Sequence, residues 1–288
     1  MFVFLAIGLW VHTFLESSDD GTPNESITKT IIYRFRVQNN GSQPVFGSCF
    51  STVAPIEKTS SQSCTKIEAS HPFSLVTDTK GNRILAFTFD AFPPYASKFV
   101  SIKATLTLAA TPTSCTRLGA CEQIQRGSAT PKTSNRRLHA LAMRLASDEA
   151  RHTANNIYQW IVDNITYAGY SATSKGAGYA FSAKQGDCTE FADLFVALAL
   201  STGLPARRVS GYMVPASAIL TSTSAHDWAE FYDNGVWRIA DAQQKNFDAK
   251  YMDYVAMRIH ESSSSNETDP SFYRYSVKGK GMTAQLDS

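Results

Sequence analysis

The stretch Gly186-Asp187-Cys188-Thr189-Glu190-Phe191-Ala192 puts a cysteine where a loop turns into a helix. Downstream, Phe191, Leu194, Phe195 and Leu198 recur at helical spacing, and Gly203 and Pro205 mark the stop. Asp187 is a good N-cap, and Glu190 three positions on fits a capping box. Cys188 then sits in the first turn, where unpaired backbone N–H groups and the positive end of the helix dipole favour thiolate over thiol. The same N–H groups are suited to the oxyanion of a tetrahedral intermediate. The plainer reading is a small buried hydrophobe, since Cys188 shares a helical face with Phe191 and Phe195. The helix alone leaves both readings open.

A second segment shifts the balance. Residues 225–233 alternate as a strand, with His226, Trp228, Glu230 and Tyr232 on one face and Asp227, Ala229 and Phe231 on the other. Asn234-Gly235 is a strong hairpin signal, and Val236 to Asp241 reads as the return strand. With Asn234-Gly235 as the loop, Asp233 faces Val236, Trp228 falls opposite Asp241, and His226 is one diagonal step away. With Asp233-Asn234 as the loop, His226 faces Asp241 directly. Either even register keeps both side chains on one face, within reach of a hydrogen bond. Asp241 would then orient His226, and His226 would take the proton of Cys188 and return it to a leaving group. Cysteine, imidazole and carboxylate are together the parts needed to attack an acyl carbon and form a thioester.

These residues resemble a known family. The run from Gly186 to Ala199, with Thr202-Gly203-Leu204-Pro205-Ala206-Arg207 and Val209-Ser210-Gly211-Tyr212, is similar to the core of bacterial transglutaminase-like proteins. So is His226-Asp227-Trp228-Ala229-Glu230-Phe231-Tyr232 followed by Val236-Trp237-Arg238, and so are Ile157 to Val162 and Asn164-Ile165-Thr166-Tyr167 upstream. The resemblance spans residues 135–260. It implies an α+β fold with a papain-like core and a Cys188–His226–Asp241 triad. One departure is Ile239-Ala240-Asp241-Ala242-Gln243, where the family often has a Val-Asp-Pro-Thr style sequence. Family members often hold a second oxyanion donor upstream of the cysteine, for which Tyr167 and Trp160 are available. Trp160 fits the core better, at helical spacing with Ile157 and Ile161. Tyr167, Asp187 and Trp228 are the oxyanion or cleft candidates. The superfamily contains transglutaminases, proteases, amidases and deamidases, amide-forming enzymes that use carrier-protein thioesters, and some non-catalytic binding modules. The resemblance therefore implies a peptide, protein or acyl-thioester substrate without fixing the acceptor.

At 288 residues the chain is long enough for two domains. A net charge of +2 gives no sign of a nucleic-acid partner. There is no phosphate-binding glycine loop and no paired-cysteine zinc motif, so neither cofactor nor metal is expected. Met1 to Leu15 is almost wholly apolar and precedes the polar run Glu16 to Gly21. It reads as a leader or a short membrane anchor at residues 1–20, which favours an exported or membrane-attached protein. Besides Cys188 there are four cysteines; Cys49–Cys64 and Cys115–Cys121 are the local pairings, and disulfides would imply an oxidising compartment. Five free thiols in a cytosolic protein are the alternative.

Residues 27–37 alternate as a strand, and β-rich segments follow near 45–53, 65–76, 83–90 and 98–109, each bounded by Pro, Gly, Asn or Ser. Their spacing predicts a small antiparallel sandwich over 21–112. Residues 113–134 read as a linker, and 135–288 as the catalytic unit. Helices are expected at 136–147 and 149–163, a flexible loop at 169–186, and a closing strand near 272–277.

Overall fold

Ile31, Tyr33, Phe35 and Val37 alternate along β1 (Ser26–Asn39), and all four side chains face inward. The computed structural model describes residues 25–114, 135–171, 173–260 and 275–287. β1 pairs along its whole length with β6 (Ser97–Ala109), which pairs with β3 (Gln62–Ala69). The facing sheet runs β15 (Tyr275–Lys278), β2 (Val45–Ala54), β5 (Arg83–Phe92), β4 (Ser74–Thr77). Phe50, Leu85, Phe87 and Phe89 meet the β1 side chains in one aromatic-rich core. The strand expected at 65–76 is two strands in different sheets. Pro72, which has no N–H to give to a ladder, lies between them.

The sandwich is closed by residues far along the chain. β16 (Met282–Asp287) pairs antiparallel with β1, β15 pairs with β2, and β10 (Ala218–Ile219) runs parallel to β1. The expected unit 135–288 is corrected accordingly: its last strands complete the N-terminal sandwich. The Cys49–Cys64 pairing is corrected too. Both are free thiols, with Cys64 turned into the sandwich core while Cys49, between inward Ser48 and Phe50, lies on the outer face of the other sheet. Cys115 and Cys121, the linker from 115 on, the leader and residues 261–274 lie outside the described residues.

The second unit packs helices on a five-stranded sheet. α1 (Arg136–Leu145) and α2 (Ala150–Asn164) turn Leu138, Leu141, Ile157 and Ile161 onto α4 (Cys188–Ser201). The sheet order is β13 (Asn246–Phe247), β12 (Val236–Asp241), β11 (Ala225–Asp233), β9 (Ala206–Met213), β14 (Tyr254–Ile259). Ala229 and Phe231 face the helices, whereas Trp228 and Ile239 face the other way, toward Val209 and Tyr254. The segment expected as a loop at 169–186 instead contains α3 (Gly176–Ala183) and β8 (Gln185–Gly186), which pairs with β7 (Thr166–Tyr167). Its small and polar composition carries no apolar period. Tertiary bonds define it instead: the Glu190 carboxylate accepts from the backbone N–H of Lys175 at 2.7 Å, at the start of α3.

Two amide side chains from the sandwich act as a substitute strand on the free edge of β14. Gln62 donates to the Ala256 carbonyl at 3.0 Å and accepts from its N–H at 2.9 Å. Asn82 does the same to Ile259, at 2.9 and 2.6 Å. The buried Lys29 ammonium donates to the Val214 and Met252 carbonyls, each at 2.6 Å. Directional bonds of this kind fix the sandwich against the sheet in a way that apolar contact alone does not.

Candidate active site

Cys188 is the first residue of α4. Asp187 caps it: one carboxylate oxygen accepts from the Thr189 N–H at 2.9 Å, while Glu190 reaches back to the Asp187 N–H at 3.0 Å. Gly186 is required for this. A Cβ there would stand 2.4 Å from the Cβ of Glu190. The capping box expected from the sequence is present, and the thiol is free and half-buried.

On the sheet, Asn234 and Gly235 both adopt positive φ, and Asp233 pairs with Val236. This is the register in which His226 lies diagonally from Asp241. The His226 Nε2 and the Asp241 Oδ2 are 2.6 Å apart, both buried. With Nε2 engaged by Asp241, the second ring nitrogen is the one left for Cys188, which lies close enough to interact with the ring electrostatically. Burial alone would lower the pKa of His226; the hydrogen bond to Asp241 and the adjacent Cys188 outweigh it and push it up to about 10.

Asp241 is held from further sides. Its Oδ2 also accepts from the Tyr254 hydroxyl at 2.9 Å, and its Oδ1 from the Gln244 N–H at 3.1 Å. Asn246 donates to the Tyr254 oxygen at 3.2 Å. Burial, then the adjacent Asp241 carboxylate, hold the tyrosine firmly protonated. Tyr254 was not visible as a site residue in the sequence, because a tyrosine opening a strand reads as core.

Of the three cleft candidates, Tyr167 is half-exposed on β7, close enough to Cys188 to feel its charge. Burial first, and then Cys188 and Asp187, raise its pKa. Asp187 is buried; besides capping α4 it accepts from the Ser171 N–H at 3.0 Å, and so anchors the loop rather than lining a cleft. Burial raises its pKa, against the pull of the Ser171 bond. Trp228 is corrected as a cleft residue. It is 1% exposed, its ring stacked beneath His226 at 6.4 Å and edge-on to Tyr254 at 5.1 Å. Its place on the His226 face of β11 turns it into the core on the sandwich side of the sheet, where it supports the imidazole from below.

The fold and the cluster define an α+β protein with cysteine, histidine and aspartate gathered at a helix start. Residues 139–242 match the model of the transglutaminase-like superfamily, and this part of the chain is a transglutaminase-like core. The whole chain is similar in structure to a candidate cysteine protease from Cytophaga hutchinsonii, with a TM-score of 0.55 at 16% identity over 91% of this chain and 92% of that one. The periplasmic domain of TgpA from Pseudomonas aeruginosa aligns with a TM-score of 0.39 at 17% identity, over 73% of this chain and 87% of that one. No curated protein matches the sequence. Among the described residues, no helix is long and apolar enough to cross a membrane.

Proposed function

We propose that the protein is a cysteine-dependent acyl-transfer enzyme, with Cys188 as nucleophile, His226 as general base and acid, and Asp241 as the carboxylate that orients the imidazole. The observation that carries this is the short buried His226–Asp241 bond beside a free thiol at a capped helix start. His226 takes the thiol proton and the sulfur attacks an amide or thioester carbonyl. The Cys188 backbone N–H, at the start of α4, helps hold the oxyanion. As the tetrahedral intermediate collapses, the bond to the leaving amine or thiol breaks and His226 gives that group its proton. The thioester on Cys188 is then attacked by water or an amine, whose proton passes to His226 while the Cys188 sulfur leaves and is reprotonated.

Water is the default acceptor where the cleft is open, so peptide or amide hydrolysis is favoured over transamidation. Tyr167 is half-exposed and interacts electrostatically with Cys188, which supports a role in holding substrate or oxyanion. The apolar run Met1 to Leu15 supports action outside the cytoplasm or at a membrane surface.

The test is Cys188→Ala against a panel of peptide, glutamine and thioester substrates. Turnover is expected to vanish while the urea midpoint holds, since loss of a nucleophile costs orders of magnitude in rate. Turnover undiminished in that variant would refute the assignment.

A further inference from the structure

The residue after the cysteine and the residue after the histidine are bonded to each other. The Thr189 hydroxyl donates to Asp227 Oδ2 at 2.9 Å, and both side chains are buried. Thr189 is the second residue of α4, turned about 100° from Cys188 around the helix axis. Asp227 lies on the helix-facing side of β11, the opposite side from His226. The bond therefore ties the helix start to the strand at the level where sulfur and imidazole must meet.

One turn further along α4, a second link repeats the pattern. Asp193 accepts from Arg208 on β9 at 2.9 Å. Thr189 and Asp193 stand i, i+4 on one helix face. In the sheet register Asp227 opposes Ser210 and Ala229 opposes Arg208, which puts Asp227 and Arg208 on one face, diagonally adjacent. Arg208 interacts electrostatically with both Asp193 and Asp227, so the buried Asp227 carboxylate has a compensating charge. Deeper in, α4 meets β11 through apolar contacts such as Phe195 on Phe231, at 6.3 Å between centroids. Apolar packing is non-directional and does not by itself fix a helix along its axis; a hydrogen bond does.

We infer that Thr189 and Asp227 form a latch that sets the gap between the Cys188 sulfur and the His226 ring. They are positioning residues: neither touches the reacting atoms. The inference rests on the proposed role of Cys188 and His226. A displacement on the order of 1 Å at a reacting pair costs roughly a hundredfold in rate, so a residue one bond from the chemistry is able to govern it.

The experiment is the rate of Cys188 alkylation by iodoacetamide at neutral pH, located by peptide mapping, with urea midpoints measured alongside. It needs no knowledge of the substrate. Wild type is expected to react faster than free cysteine. Thr189→Val, which keeps the shape and loses the donor, is expected to fall about tenfold or more toward His226→Ala. Thr189→Ser, which restores the donor, is expected to recover most of the wild-type rate. If Thr189→Val does not fold, Thr189→Ala is the second donor-less variant. A fast wild type with an equally fast folded Thr189→Val overturns the latch alone, as does a Thr189→Ser variant as slow as Thr189→Val. A wild-type thiol no faster than free cysteine overturns the nucleophile assignment and the latch with it.

Discussion

His226 is where the folding of the chain and its chemistry meet. Its pKa is raised from 6.5 to about 10 by Asp241 and Cys188, against the cost of burial. Between those values the native state holds a proton that the unfolded chain has released, so stability falls as pH rises. The contribution is full below about pH 6.5 and gone above about pH 10. Urea unfolding across that window should show wild type losing stability relative to Asp241→Asn, whose imidazole lacks the partner that raises it. A difference that stays flat or grows with pH contradicts the assignment. Tyr254→Phe removes a donor to the Asp241 carboxylate. A hydrogen bond to a charged group is worth about 1.5–3 kcal/mol, so a loss of roughly tenfold or more in kcat/KM is expected, and full activity would show that the hydroxyl is idle. The cysteine, histidine and aspartate stand out in the sequence because each lies in a short local pattern: a capping box, an alternating strand, a hairpin. Tyr254, Asn246 and the Thr189–Asp227 bond leave no such trace, since each joins residues brought together by the fold.

Elements with their own periodicity were legible, and elements defined by partners were not. The helix from Cys188, the Asn234-Gly235 hairpin and β1 follow apolar spacing or turn chemistry. α3 and the short strand β10 do not: Gly176–Ala183 carries no regular apolar period and Ala218-Ile219 is too short to show one, so both are defined by the bonds that Glu190 and β1 supply. The edge of β14 is a further case: two amide side chains cap it, which no pattern within the strand announces. Gln62→Ala leaves the buried Ala256 N–H unpaired, while the Ala256 carbonyl keeps the Ile56 N–H at 3.0 Å; one unpaired buried group costs about 1–3 kcal/mol and should lower the urea midpoint accordingly. An unchanged midpoint would mean that the cap contributes nothing. Between β9 and its neighbours, a Cβ on Gly211 would lie 2.0 Å from the Val255 carbonyl and 2.7 Å from the Trp228 ring. Gly211→Ala is therefore expected to destabilise by about 1–3 kcal/mol or more and to disturb the floor under His226. Normal stability and alkylation of Cys188 would count against that packing.

At the scale of the whole molecule, sandwich and helical core are bound into one structure. Tyr212, Val214, Val255 and Met257 of the core lie in the sandwich's own apolar cluster, and the chain's last strands close both sandwich sheets. This crossing was hidden in the sequence, because pairing between β1 and β16 depends on topology rather than on local composition. Calorimetry should record one cooperative transition for the intact chain, and deletion of residues 275–288 should lower its midpoint by uncovering the edges of β1 and β2. Two well-separated transitions would show that the units fold independently.

The central claim is that Cys188 carries the acyl group, and intact-protein mass spectrometry tests it most directly. With peptide, glutamine and thioester substrates quenched in acid, the protein should gain the mass of an acyl group, mapped to the peptide bearing Cys188 and absent in Cys188→Ala. An acyl adduct mapped to another residue, or turnover that persists in Cys188→Ala, would contradict it.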